Sequence, residues 1–181
     1  MAAFDPEGLI FATGINSECI KLYDLRSYDK GPFSSFLVDT STSASAERDS
    51  ADWAGLKFSP DGRSILVYTN GTAIRLIDAF KGHVTHTFGG HANDRGQALE
   101  ASFSPDAQYL FSGSSDGKLH CWHIETGAKM VFSSEKHKGI VAGGEYWLAL
   151  PVWNATSEGR RALRVRTLLD VVTIFPSFLF C

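Results

Sequence analysis

One turn-and-strand phrase is written three times in this chain, and that repetition limits the fold more than any other feature. The copies open on Phe4-Asp5-Pro6, Phe58-Ser59-Pro60 and Phe103-Ser104-Pro105. A turn residue follows at Gly8, Gly62 and Ala107, and a second polar turn starts at Asn16, Asn70 and Ser115. Next come the apolar pairs Ile20/Leu22, Ile74/Leu76 and Leu119/Cys121, each enclosing a basic residue: Lys21, Arg75 or His120. The copies close at one offset, on Tyr23-Asp24, Ile77-Asp78 and Trp122-His123. Between Ala98 and Gly127 the phrase is clearest, with runs at Gln108–Ser112 and Lys118–His123 around the turn Ser114-Ser115-Asp116-Gly117. Short apolar runs punctuated by Pro, Asp and Gly, with no helical period, predict an antiparallel meander.

The copies lie 54 and then 45 residues apart, close to the roughly 40–45 residues of one WD-type blade. The endings IKLYD, IRLID and LHCWH and the run Ser114–Trp122 resemble WD repeats. The expected fold class is therefore all-β, a WD-repeat β-propeller of about three blades plus an atypical C-terminal tail. Each blade is a four-stranded sheet that covers its faces with its neighbours. Blades are expected over 2–38, 53–90 and 98–133, with outer strands at Ser35–Val38, Val84–Phe88 and Lys129–Ser133. They form a partial propeller over 1–141, followed by a divergent tail over 142–181. Three copies fall short of the roughly four to eight blades of a closed propeller, so the chain reads as part of a longer one. The Ser/Ala/Thr-rich stretch Asp39–Asp52 accounts for the longer first spacing and is expected to be a surface loop, open to phosphorylation or a partner. Lys136–Val141 would open a fourth copy that does not develop.

From about Ala142 the character changes. Arg160, Arg161, Arg164 and Arg166 precede the nearly continuous apolar run Thr167–Cys181. As a membrane anchor that run is shorter than the roughly 20 residues a span needs, and Asp170 and Pro176 interrupt it. A non-native C-terminus from an altered transcript or gene model, or a buried strand, ranks ahead of an anchor.

The net charge of −3 gives no global field for nucleic acid, and no sequence-specific nucleic-acid binding is expected. Cys19, Cys121 and Cys181 share no metal spacing, and an odd count fits a reducing compartment. The start MAAFDPEGL has neither a basic nor an apolar leader region, so no signal peptide is expected and the sequons at Asn70 and Asn154 are expected to be idle.

Gly113-Ser114-Ser115-Asp116-Gly117 satisfies G-x-S-x-G, but that motif needs a strand–turn–helix elbow and here both flanks read as strands. Leu119 stands where a P-loop after Gly117-Lys118 needs Ser or Thr. His120-Cys121-Trp122-His123 looks like a metal cluster, yet strand alternation sends His120 and Cys121 to opposite faces. In the slot of Lys21 and Arg75, His120 is expected to be solvated. His83, His86, His91 and His137 are expected in inter-repeat loops, bonded to turn backbone. The recurring aromatics Phe4, Tyr23, Phe58, Phe103 and Trp122 are expected in the core between blades. No catalytic residue, metal site or cofactor is expected.

Over Phe4–Phe132 the stretches FDPEGLIFATG, IKLYDLRSYDKGPF, LKFSPDGRSIL, IRLIDAFKG, HTFGG and LEASFSPD closely resemble the WD repeat-containing protein 82 family, WD-repeat subunits of COMPASS-type histone H3 lysine methyltransferase complexes. The block Arg26–Phe33 is the most distinctive, and the tail after about Val141 departs from the family. The resemblance implies a nuclear, non-catalytic adaptor. Its implied partners are Set-type histone methyltransferase subunits, the phosphorylated RNA polymerase II C-terminal domain and a protein phosphatase-targeting subunit, with no membrane. Alternatives are a WD scaffold of a ubiquitin-ligase or RNA-processing (3′-end) assembly, or a truncated fragment without function. Arg26, Tyr28, Asp29, Lys30 and Phe33 are the candidate partner-binding residues, because binding groups concentrate in loops. Packing of Phe33 around a Gly31-Pro32 turn is the structural alternative, and Arg26 with Lys30 could pair with phosphate.

Overall fold

A computed structural model describes residues 1–38, 52–94 and 96–132, together with two short strands at 152–155 and 161–164. The chain divides into two compact units, Met1–Gly90 and His91–Cys181. The first holds two four-stranded antiparallel sheets. Sheet 1 is β1 (Ala2–Phe4), β2 (Ile10–Ile15), β3 (Cys19–Asp24) and β4 (Ser34–Leu37), and sheet 2 is β5 (Trp53–Phe58), β6 (Ser64–Thr69), β7 (Ile74–Asp78) and β8 (Val84–Phe88). In the second unit, sheet 3 is β9 (Ala101–Phe103), β10 (Tyr109–Ser112), β11 (Leu119–His123) and β12 (Lys129–Phe132). Each sheet runs in chain order, the meander expected of a WD blade. A hairpin of β13 (Val152–Ala155) and β14 (Arg161–Arg164) lies in the stretch read as a divergent tail. The expected fourth opening at 136–141 and the apolar run 167–181 lie outside the described residues.

The Phe-x-Pro turns fold through one device written with different side chains. In the first, the Asp5 carboxylate accepts the backbone N–H of Leu9 (2.8 Å) and Ile10 (2.9 Å). In the second, Ser59 Oγ accepts from Ser64 N (2.9 Å) and donates to Asp61 (2.5 Å). In the third, Ser104 Oγ accepts from Tyr109 N (2.9 Å) and donates to Asp106. The residue closing each turn is left-handed: Gly8 at φ 68°, Gly62 at 70° and Ala107 at 57°. Alanine there carries a steric cost that glycine does not.

The last residue of each third strand caps the turn that follows. Asp24 Oδ1 accepts from Arg26 N (2.8 Å), and Asp78 Oδ1 from Phe80 N (2.9 Å) and Lys81 N (2.8 Å). Where the third copy substitutes His123, its Nδ1 accepts from Thr126 N (3.3 Å). The substitution keeps an acceptor in place, so the turn survives the loss of the acid.

Sheet 1 packs one face on sheet 2. Ala12, Ile20 and Leu22 meet Trp53, Leu56, Ile65, Val67 and Ile77 in a buried cluster that Val38 and Ala79 complete. Two hydrogen bonds hold the junction: Val38 N donates to Glu18 O (2.8 Å) and Trp53 N to Ser17 Oγ (2.9 Å). Residues 39–51, the expected surface loop, lie outside the described residues.

The other face of sheet 1 carries Phe4, Phe11 and Tyr23, aligned across three strands. Phe11 stacks on Tyr23 at 5.0 Å between centroids, and Phe4 meets Phe11 edge-on at 5.9 Å. Phe103 and Trp122 are buried as expected, but Phe4 is 63% exposed. Its face points away from sheet 2, so the expected core position fails there.

Candidate functional site

The β3–β4 connection gathers the five residues singled out in the sequence. β3 ends at Asp24, whose carboxylate accepts Arg26 Nε (3.2 Å) and Nη2 (3.0 Å) besides the Arg26 backbone N–H. The side-chain hydrogen bonds from Arg26 hold this carboxyl below its usual range, with the backbone bond adding to the effect. One 3₁₀ turn, Tyr28–Lys30, follows and ends at Gly31, whose φ of 89° suits a residue without a Cβ. Phe33 N then donates to Leu22 O (2.9 Å) and returns the chain to the sheet edge as β4. Both ends of the loop are thus fixed by backbone bonds, and its middle projects outward.

Tyr28 is 62% and Phe33 59% exposed, and Arg26, Asp29 and Lys30 are exposed beside them. The loop presents two aromatic rings and a guanidinium whose fork Asp24 already occupies. Phe33 is not a packing residue in this arrangement. Within Asp24–Phe33 two carboxylates face two cations, so no net charge is left to draw in a phosphate.

The motif Gly113–Gly117 folds as the β10–β11 hairpin, with Ser112 opposite His120. Ser114 is fully buried, and its Oγ accepts from Ala92 N (3.0 Å) and donates to Ala92 O (3.3 Å). A serine spent on backbone in a strand–turn–strand context is no nucleophile elbow. Cys121 is buried on the face opposite His120, and burial pushes its thiol up to about 12. Among the described residues no three His, Cys, Asp or Glu side chains gather to hold a metal ion.

His120 corrects the expectation of a solvated slot: it is 4% exposed, and Arg75, in the same slot of sheet 2, is 2% exposed. Alternation assigns a residue to a face, but it does not say whether that face meets water, and both faces of these strands are covered. His91 keeps its expected place in an inter-repeat loop, between β8 and β9, but its surroundings are aromatic. It is buried, edge-on to Trp122 (6.1 Å) and to His120 (6.3 Å), while His120 stacks on Trp122 (5.8 Å). Lys129 Nζ sits 5.6 Å from the Trp122 ring centroid. Neither ring nitrogen of His120, nor His91 Nδ1, has a hydrogen-bond partner among the described residues. Burial, then the neighbouring His120 and Lys129, lowers His91 to about 4. Burial, then Lys129, lowers His120 as well. Of the remaining histidines, His83 is exposed in the β7–β8 loop, and His86 lies within β8, stacked on Phe88 at 5.8 Å.

Three exposed apolar residues escaped the sequence reading: Leu9 and Leu25, joined by Leu25 N donating to Leu9 O, and Phe80 in the β7–β8 connection. Their signal was available, since each is a large apolar residue inside a predicted turn, where polar residues and glycine prevail. No described helix is long and apolar enough to cross a membrane.

A model of the WD domain, G-beta repeat, matches residues 74–123. WD repeat-containing protein 82 of Drosophila melanogaster is 54% identical over 141 residues, covering 78% of this chain and 42% of the relative. Protein ANTHESIS POMOTING FACTOR 1 of Arabidopsis thaliana is 39% identical over 77% of this chain and 39% of its own length. COMPASS component SWD2 of Saccharomyces cerevisiae is 31% identical over 67% of this chain and 36% of its own length. The chain thus spans about two fifths of the length of these relatives. The threefold phrase, the three meander sheets and these similarities together make this chain a WD-repeat protein related to WD repeat-containing protein 82.

Proposed function

We propose that this chain is a non-catalytic nuclear adaptor that links Set-type histone H3 lysine methyltransferase subunits to the phosphorylated C-terminal domain of RNA polymerase II. A protein phosphatase-targeting subunit is a further partner. Residues 1–141 act as the partial propeller and 142–181 as a divergent extension. The observation that carries this reading is the 54% identity to WD repeat-containing protein 82 across most of the chain, joined to similarity with a protein named as a COMPASS component. Rigid sheets with exposed loops supply what an adaptor needs: fixed surfaces for other chains and no requirement for an active site.

The partner-binding residues in this reading are Arg26, Tyr28, Asp29, Lys30 and Phe33, which share one pinned and exposed loop. Co-purification of the tagged full chain from nuclear extract tests the proposal. Methyltransferase-complex subunits and RNA polymerase II are expected in the eluate, and Tyr28→Ala with Phe33→Ala is expected to deplete them. Recovery of ubiquitin-ligase or RNA 3′-end processing subunits in their place would sink the chromatin assignment.

A further inference from the structure

Five large apolar side chains stand out at one end of the first unit: Leu9, Leu25, Tyr28, Phe33 and Phe80, exposed by 44 to 79%. Their common location follows from the backbone. Leu25 N donates to Leu9 O (3.0 Å), which joins the two connections of sheet 1 at this end. Pro6 lies 3.7 Å from where a Cβ on Gly62 would stand, and the Phe36 ring fills the space beside Gly82. The matching connections of sheet 2 therefore lie alongside those of sheet 1, and they bring Phe80 to the same rim.

Area and charge define what such a rim fits. Three exposed aromatic rings, each able to bury about 150–250 Å², amount to several hundred Å². At that size exposed apolar surface marks an interaction site. It falls short of the roughly 800 Å² per side of a stable globular interface, so it suits one extended segment rather than a folded face. Electrostatic attraction is missing as well. Across these connections six carboxylates (Asp5, Glu7, Asp24, Asp29, Asp61 and Asp78) outnumber four cations (Arg26, Lys30, Arg63 and Lys81), and Asp24 already occupies the Arg26 guanidinium, so nothing here draws in an anionic segment. We propose that this rim docks an extended, uncharged segment of a partner protein, whose alternating apolar side chains seat on Tyr28, Phe33 and Phe80. The proposal rests on the adaptor reading and names the chemistry of its partner contact as apolar rather than phosphate.

Fluorescence anisotropy on the full 181-residue chain tests this with two labelled, end-blocked peptides. One alternates Leu and Phe with Ser and Thr, and the other is the same peptide with its serines phosphorylated. The uncharged peptide is expected to bind saturably with little salt dependence. Phe33→Ser and Phe80→Ser are each expected to raise its Kd about tenfold. The phosphorylated peptide is expected to bind no more tightly than the uncharged one, and the pair Arg26→Glu and Lys30→Glu reads whether any binding it shows depends on these charges. Absence of saturable binding, or binding indifferent to Phe33→Ser and Phe80→Ser, overturns the proposal. So does tighter binding of the phosphorylated peptide that the charge reversals abolish. All these positions are exposed, so an unchanged circular dichroism melt confirms that each variant folds. Nuclear co-purification that survives Phe33→Ser with Phe80→Ser would overturn the rim alone and leave the adaptor reading standing.

Discussion

The first sheet and its two later counterparts put the same slots to opposite use. In sheets 2 and 3 the slot-bearing face is buried: Ile65, Val67, Arg75 and Ile77 in one, Leu110, His120 and Trp122 in the other, all at most 3 to 4% exposed. In sheet 1 the matching face carries Phe4, Phe11, Lys21 and Tyr23, with Phe4 mostly in water and the others half-buried. One repeated phrase thus yields a core in sheet 2, where sheet 1 covers it, and an aromatic surface in sheet 1, where none of the described residues does. Burial is a property of the stack, not of the repeat, which is how nearest-neighbour assemblies behave.

Changes on the covered face of sheet 2 break this contrast most strongly. Ile65→Ala is expected to cost about 2–5 kcal/mol, because Ile65 is fully buried in the cluster between sheets 1 and 2. A lower urea midpoint at unchanged m-value measures it.

Acid comes next. His91 and His120 are neutral in the fold and have pKa values lowered by burial. Their stabilisation is complete above the unfolded-state value of about 6.5 and is lost as pH falls below it, for His91 toward about 4. The loss for His91 is on the order of 3 kcal/mol. Trp122 fluorescence and amide exchange at Ala92 and Ser115 should report the third sheet loosening over this range. A pH-independent melt between 7 and 4.5 would contradict it.

His120→Leu sharpens the comparison. Removing a buried imidazole with two unpartnered nitrogens is expected to raise stability by about 1 kcal/mol and to flatten the acid slope. Ala107→Gly is expected to add about 0.5–1 kcal/mol by relieving a left-handed alanine. Smallest of all, Phe4→Ser should lie within about 0.5 kcal/mol of the parent chain, since Phe4 is 63% exposed. A cost like that of Ile65→Ala would show that the first face is covered in solution.

The turns and strands were legible because they are local. Pro and Asp fix the Phe-x-Pro turns, and alternation fixes the runs between them, so Val84–Phe88 matches its expected bounds and Lys129–Phe132 starts where expected, Ser133 lying outside the described residues. The five-residue loop was legible as a polar and aromatic cluster between strands. What stayed hidden depends on neighbours distant in sequence. The burial of Arg75 and His120, the exposure of Phe4 and the rim position of Phe80 follow from which face is covered. The hairpin Val152–Ala155 with Arg161–Arg164 left a weak signal, the turn formers Ser157 and Gly159 between Val152-Trp153 and Ala162-Leu163, which Arg160, Arg161 and Arg164 obscured.

The junction between sheets 1 and 2 has a consequence for how freely this gene region can change length. Val38 N and Trp53 N are held by Glu18 and Ser17, adjacent residues of one turn. The chain therefore leaves and rejoins the sheets at nearly the same place, whatever lies between. Lengthening the connection adds only the slow logarithmic term of loop closure, about 0.6 kcal/mol for each doubling. Insertions, tags or a split of the polypeptide should be tolerated there, while the second connection, 89–100, only three residues shorter than 38–52, threads buried His91 and Asn93 and should refuse them.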